Sequence, residues 1–280
     1  MQKVTTVNQL RNLIRQWRKK GLSIAFVPTM GNLHSGHIKL VREAKKQADR
    51  VVVSIFVNPT QFGAGEDFEN YPRTERVDED KLTEASVDLL FLPTIFEIYP
   101  NKASTRVSVG DLAALHCGAY RMGHFDGVAT VVTKLFNMVQ PDIAFFGEKD
   151  FQQLAVIRNM VQDLNIPVEI LGVSTEREKD GLAMSSRNGY LTAKERAIAP
   201  KLYQALCMAR DEVLQTKAFK TIEKENSTLL ESEGFKVDYF SICNADNLQL
   251  ATENDKSLVI LVAAKLGRPR LIDNITFSKK

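Results

Sequence analysis

Short apolar runs alternate with helix-length amphipathic stretches through the first 175 residues, and this alternation most constrains the fold. Val7, Leu10, Ile14 and Trp17 share one face of a helix that Gly21 can end. Ser23–Val27 then reads as a buried strand stopped by Pro28, and a helix follows from Ser35–Gly36 to about Asp49. Val51–Val57 is β-branched and nearly continuous, as a strand covered on both faces should be. Thr74–Ala85 reads as helix and Asp88–Leu92 as strand. After an irregular stretch to Phe125, the series continues with helix Gly127–Val139, strand Asp142–Phe146, helix Asp150–Leu164 and strand Val168–Val173. Such a series predicts an α/β fold: a Rossmann-like, doubly wound parallel sheet with its ligand at the carboxyl ends of the strands.

The pattern changes after residue 175. Thr192–Thr216 and Lys220–Glu233 read as helices, and Lys236–Cys243, Ser257–Leu266 and Arg270–Phe277 as strands. This predicts two domains: residues 1–175, the Rossmann-like sheet, and residues 176–280, a smaller α+β domain.

Composition narrows the function classes. Lys and Arg total 37 against 34 for Asp and Glu, with no long basic run, so a nucleic-acid partner is not indicated. Three widely spaced cysteines, Cys117, Cys207 and Cys243, make neither a disulfide framework nor a zinc ribbon and fit the cytoplasm. The longest apolar runs are strand-sized, short of the roughly 20 residues of a membrane helix. A membrane partner is therefore not expected.

Three polar clusters fall at predicted strand ends or at the domain junction. In the first, Pro28-Thr-Met-Gly-Asn-Leu-His-Ser-Gly-His37, a strand runs into a helix start. Unpaired N–H groups and the positive end of the helix dipole favour phosphate there. Gly31 and Gly36 would let a nucleotide approach, while His34 and His37, three apart, can face one side and donate to phosphate oxygens. Taken alone, the pair equally fits imidazoles that only cap or solvate the helix. A metal site with His116, Cys117 or His124 lacks a convincing ligand set.

The second cluster, Phe146-Gly-Glu-Lys-Asp150, offers Lys149 as a mobile cation. The third, Gly181-Leu-Ala-Met-Ser-Ser-Arg-Asn-Gly189, offers two hydroxyls and a guanidinium that can wrap a triphosphate. Singly, each reads as solvated surface or turn; their shared sheet edge argues for a nucleotide site. The long polar segment Asn58–Arg73 is of a length that is usually functional, and Gly63–Arg73 is a candidate lid.

Together, PTMGNLHSGH, FVNPTQF, FFGEKDFQQL and DGLAMSSRNGYLT resemble the pantothenate synthetases, or pantoate–β-alanine ligases. The first and last motifs are similar to the paired nucleotide signatures of the superfamily that includes class I aminoacyl-tRNA synthetases. The resemblance implies that ATP and pantoate give pantoyl adenylate and pyrophosphate, and that β-alanine then displaces AMP. It places ATP on Met30, Gly31, Asn32, Leu33, His34, Ser35, Gly36 and His37, on Gly147, Glu148, Lys149 and Asp150, on the backbone of Glu176, and on Met184, Ser185, Ser186 and Arg187. Gln61 and Gln153 would take pantoate, with β-alanine arriving nearby. His37 would be the proton donor; His34, Lys149, Ser185, Ser186 and Arg187 would steady the phosphates. Mg²⁺ would come with ATP, held mainly by phosphates and water without a dedicated protein site; Asp78 and Asp80 are candidates to assist, although acidic residues on a helix face are usually solvated. The family also implies a homodimer, for which the apolar strands and Ala113–Tyr120 offer a surface.

Two other readings compete. A nucleotidyltransferase acting on a phosphorylated acceptor should show more cations near the acceptor, where Asn58, Gln61 and Gln153 stand. A non-catalytic ATP-binding regulator would not need His34, His37, Lys149 and Arg187 together.

Overall fold

The computed structural model describes residues 1–100 and 104–279. Its larger sheet has six parallel strands: β1 (Gln2–Val4), β2 (Ile24–Thr29), β3 (Arg50–Ile55), β4 (Leu89–Phe91), β5 (Ile143–Gly147) and β6 (Glu169–Val173). Their spatial order is β1-β4-β3-β2-β5-β6. The chain winds outward from β2 in both directions, so the switch point lies between β2 and β5, where such sheets hold ligands.

Side chains alternate along each strand and divide the core in two. Ile24, Phe26, Val52, Leu89 and Phe91 join one cluster with α1 (Val7–Lys19), α6 (His124–Val139) and α7 (Phe151–Asp163). Ala25, Val27, Val51, Val53 and Leu90 join the other with α2 (Ser35–Gln47) and α3 (Glu75–Glu84). Helices on both faces explain why the strands read as continuous apolar runs.

Beyond β6 lie α8 (Ala193–Ile198), α9 (Lys201–Leu214) and α10 (Phe219–Ser232). They precede an antiparallel sheet of β7 (Lys236–Asn244), β8 (Ser257–Lys265) and β9 (Arg270–Ser278). Leu202, Leu206, Ile222 and Leu230 pack against Phe240, Ile260 and Val262 in a separate core.

The predicted helix Thr192–Thr216 is two helices, α8 and α9, because Pro200 stands at the start of the second. The three-residue β1 escaped the sequence pattern; only Val4 of it is buried. The stretch read as irregular up to Phe125 holds the short helices α4 (Ile95–Ile98) and α5 (Cys117–Tyr120); residues 101–103 of it lie outside the described residues.

Candidate active site

Strand β2 ends in Pro28-Thr29, and the loop from Met30 to His34 carries the chain into α2. Gly31 sits at φ +80°, a conformation costly for any residue with a Cβ. Asp78 on α3, fully buried, fixes this loop: its two oxygens accept from the N–H groups of Asn32 and Leu33, both at 2.8 Å. Thr74 Oγ1 donates to it as well, at 3.1 Å. The expectation of a solvated or metal-assisting Asp78 is thereby corrected: the carboxylate holds a backbone turn. Lys81 Nζ donates to the Leu33 carbonyl at 2.5 Å from the same helix.

Helix α2 is capped by its two histidines reciprocally. His34 Nδ1 accepts from the Gly36 N–H and His37 Nδ1 accepts from the His34 N–H, each at 3.2 Å. A ring whose Nδ1 accepts must, when neutral, carry its proton on Nε2. Both rings therefore present an Nε2–H, with centroids 4.1 Å apart. A Cβ on Gly36 would lie 3.0 Å from the His34 ring, so this glycine makes room for the imidazole. Burial, then Lys149, lowers the His34 pKa to about 4. Burial, then His34 and Lys149, holds His37 well below 6.5. Both are neutral donors near pH 7, capping with one nitrogen and offering the other.

At the end of β5, the turn Glu148–Asp150 brings Lys149 toward the same place; its side chain is mostly buried and lies 3.9 Å from Asp150. The Ser185–Arg187 loop arrives from the far side. Ser185 Oγ accepts from the Arg187 N–H at 3.3 Å, and Ser186 Oγ donates to the Asn32 carbonyl at 3.1 Å. Arg187 is engaged by Asp67 through two bonds of 3.0 and 2.9 Å. It thus reaches the cavity already paired with the segment predicted to be a lid.

That segment has a second clasp, Arg121 on Glu66 at 2.6 and 2.7 Å. Burial alone would raise the Glu66 pKa, but hydrogen bonding and attraction from Arg121 bring it down to about 2. Arg121 also meets His124 Nε2 at 2.9 Å, which leaves His124 Nδ1–H to donate to the Gln61 carbonyl at 2.8 Å. Burial, then Arg121, lowers the His124 pKa to about 4. His116 bonds the Leu248 carbonyl and Cys117 bonds Tyr239. These partners are separate from those of His124, and no metal-holding group of three His, Cys, Asp or Glu exists among the described residues.

These parts enclose a cavity of about 220 Å³ at the β2–β5 switch point. Met30, His34, Gly36, His37, Gln61, Gly147, Lys149, Asp150, Gln153, Glu176, Met184, Ser185, Ser186 and Arg187 line it. Of the predicted residues, Gly31, Asn32, Leu33, Ser35 and Glu148 do not; Leu33 is in the core and Ser35 faces outward. The floor is apolar, with Phe56, Val128, Val131 and Leu135. Gln61 is held at its rim by Asn58 Nδ2, which donates to Gln61 Oε1 at 3.0 Å. Lys149, Asp150, Gln153, Ser185 and Arg187 also border a second, larger cleft of about 740 Å³ reaching to β9.

The charge in Glu176–Asp180 has a structural explanation. Glu176 pairs with Lys39 at 3.3 Å while its carbonyl accepts from Met184 N–H at 2.9 Å. Arg177 grips Asp273 of β9 through bonds of 2.6 and 3.0 Å beneath the Tyr203 ring, and Arg196 pairs with Asp180 at 2.6 Å. These residues tie the Met184–Arg187 loop to both sheets. Asp67, Tyr71, Asp78 and Asn274 also contribute to the site or its support and were not singled out as site residues in the sequence; none lies in a recognisable motif of its own.

The family model described as pantoate-beta-alanine ligase matches residues 2–276. A pantothenate synthetase of Alcanivorax borkumensis is 54% identical over 280 residues, covering 99% of this chain and 98% of the relative. One of Pseudomonas fluorescens is 55% identical over 278 residues, covering 98% and 97%. The crystal structure of the Thermus thermophilus pantothenate synthetase superposes with a TM-score of 0.93 at 46% identity, covering 98% of this chain and 99% of that one. That of a Francisella tularensis pantoate-beta-alanine ligase complexed with beta-gamma ATP and beta-alanine gives 0.84 at 35% identity, covering 98% and 97%. With matched motifs, fold and full-length identity in agreement, the chain belongs to the pantoate–β-alanine ligase family.

Proposed function

We propose that this ATP-dependent ligase joins pantoate to β-alanine through a pantoyl adenylate formed in the cavity between β2 and β5. The observation that carries the reading is the pair of neutral imidazoles, each with a free Nε2–H, beside Lys149 and above an apolar floor rimmed by Gln61 and Gln153. The floor suits a branched aliphatic body, and the two amides suit its hydroxyls and carboxylate. With Lys149 and Arg187 serving the phosphates, amides rather than cations are left for the acceptor, which favours a carboxylic acid over a phosphorylated one.

A pantoate carboxylate oxygen attacks the α-phosphorus as the α–β bridging bond breaks, and pyrophosphate takes that electron pair. This step needs charge cancellation and alignment, with no base. His34 and His37 donate from Nε2, Lys149 adds charge, and Ser185 has a hydroxyl proton to give. The proton-donor role expected of His37 is here a hydrogen bond from Nε2, because a neutral ring that gave up that proton would be left as imidazolate. Arg187 joins the phosphates by exchanging Asp67 for them. In the second step the β-alanine nitrogen attacks the acyl carbon, the bond to AMP breaks, and the nitrogen sheds its proton. His34 and His37 do not take that proton, since each Nδ1 lone pair is occupied by a backbone N–H.

Mg²⁺ would ride on the triphosphate and its waters, with Asp150, which lines the cavity beside Lys149, a carboxylate that could help hold it; when bound it neutralises phosphate charge. The Glu176 backbone and Met184 would face adenine. We place the domain division near residue 175, just after β6, with the lid domain beyond it. Exposed Tyr120 and Met122 beside Ala113–Tyr120 offer a homodimer surface, and three free cysteines suit the cytoplasm. No helix of the described residues is long and apolar enough to cross a membrane.

The test is ATP–pyrophosphate exchange with pantoate and Mg²⁺ and without β-alanine. Pantoate-dependent exchange that collapses in His37→Ala supports the adenylate and the role of the loop. No exchange from folded, ATP-binding protein would refute it.

A further inference from the structure

Lys149 sits in a turn that lacks a capping side chain of its own. Among the described residues, no side chain caps Glu148–Asp150, and none caps the start of α7 that follows. The turn is instead held from the other sheet. Asn274 of β9, 7% exposed, donates from Nδ2 to the carbonyls of both Glu148 and Lys149, each at 2.9 Å. Both partners are acceptors, so the orientation of the amide is fixed by chemistry.

The two carbonyls belong to the peptide planes before and after the Lys149 Cα. Holding both planes fixes φ and ψ at Lys149, and with them the direction of its Cα–Cβ bond. Asn274 is itself well supported. Its N–H donates to Asp273 Oδ1 at 2.8 Å, and buried Asp273 is gripped by Arg177, the residue that continues toward the Ser185–Arg187 loop. The middle of β9 thus supports both the Lys149 turn and Arg177, on two sides of the cavity.

We infer that Asn274 is a positioning residue for Lys149: by bonding both flanking carbonyls it lets the C-terminal sheet aim the ammonium group at the phosphates. The inference rests on the reading of Lys149 as a phosphate-binding residue. An error of about 1 Å in such a group can cost on the order of 10²-fold in rate. Asn274→Leu removes both donors at similar volume, whereas Asn274→Ser keeps one.

The experiment is a double-mutant cycle on pantoate-dependent pyrophosphate exchange and on kcat for pantothenate formation. It uses Asn274→Leu, Asn274→Ser and Lys149→Ala, with melting curves for each. Expected is a ~10–10²-fold fall in kcat for Asn274→Leu, a smaller fall for Asn274→Ser, and an unchanged KM for pantoate. In the Lys149→Ala background the same Asn274 changes should then cost less than about threefold, because coupled residues are non-additive. A folded Asn274→Leu with wild-type kcat would overturn the inference, as would an equal loss in both backgrounds. Should Asn274→Leu fail to fold, the same two criteria apply to Asn274→Ser. If Lys149→Ala alone leaves exchange intact, the reading of Lys149 fails first and is told apart by that single variant.

Discussion

Helices α1 and α2 begin with the same device, built from different chemistry. At α1, Thr6 Oγ1 accepts from the Gln9 N–H while Gln9 reaches back to the Thr6 N–H. At α2, His37 likewise reaches back to the His34 N–H, while His34 accepts from the Gly36 N–H one residue earlier in the turn. The α1 cap lies on the exposed surface, away from the cavity, and serves the helix. An imidazole has two nitrogens, so the α2 cap fastens the backbone with one and presents an N–H to the cavity with the other. The difference separates a cap that serves only its helix from one of similar outline that also borders the cavity.

The sharpest way to break this comparison is to remove each cap in turn. His37→Ala should lower turnover ~10²–10³-fold, the usual cost of losing one preorganised donor. Thr6→Ala should leave turnover unchanged and cost about 1 kcal/mol of stability, read from denaturant melts. Equal losses of activity at both helices would erase the distinction. A finer cut keeps the cap and deletes the donor. Asn in place of His34 can still accept from the Gly36 N–H, so His34→Asn should melt near the wild type yet lose ~10–10²-fold in exchange, the worth of one hydrogen bond to a charged group. Restored activity would mean that capping is all His34 does.

Next in size is the support beneath the α2 loop. Asp78→Asn leaves one acceptor where two backbone N–H groups need partners, and the orphan should cost ~1–3 kcal/mol in stability. Unchanged melting would show that the loop stands without it. The smallest effect is on pH dependence. His34 takes a proton near 6.5 unfolded and near 4 folded. Between those values the unfolded chain binds more protons, so stability falls as pH drops from 6.5 toward 4 and is insensitive to this group above 6.5. His34→Asn should flatten that slope in melting curves, whereas Thr6→Ala should shift the curve without changing its slope.

Much of the parallel sheet could be read directly, because strands covered on both faces leave unbroken apolar runs such as Val51–Val57. Elements whose signal is short or tertiary were harder. β1 has one buried residue, and α4 and α5 are four residues each. The break between α8 and α9 at Pro200 was run over in reading Thr192–Thr216 as one helix, although proline suits a helix start and not an interior.

Most residues of the motifs line the candidate cavity because strand ends and helix starts gather them at one edge, whereas Gly31, Asn32, Leu33, Ser35 and Glu148 do not line it. The supports of the site were not legible in the sequence. Asp78 reaches the loop across 45 residues in sequence, and Asn274 reaches Lys149 across 125. Asp67 meets Arg187 across 120. In one sequence those residues look like ordinary surface polarity, and only the fold reveals what each one holds.

The doubled use of His34 and His37 also bears on how this chain can change over evolutionary time. Where a catalytic group is separate from the scaffold, drift can silence it and leave the fold intact. Here most replacements of either histidine both uncap a helix and remove a donor. A lineage abandoning the chemistry would first have to pass through weakened folding or through the few substitutes, Asn among them, that can still cap. Selection for a stable protein alone therefore shields these two positions, and a descendant carrying Asn or Ser in place of His34 with Glu or Gln in place of His37 would advertise a lost reaction in a fold that still stands.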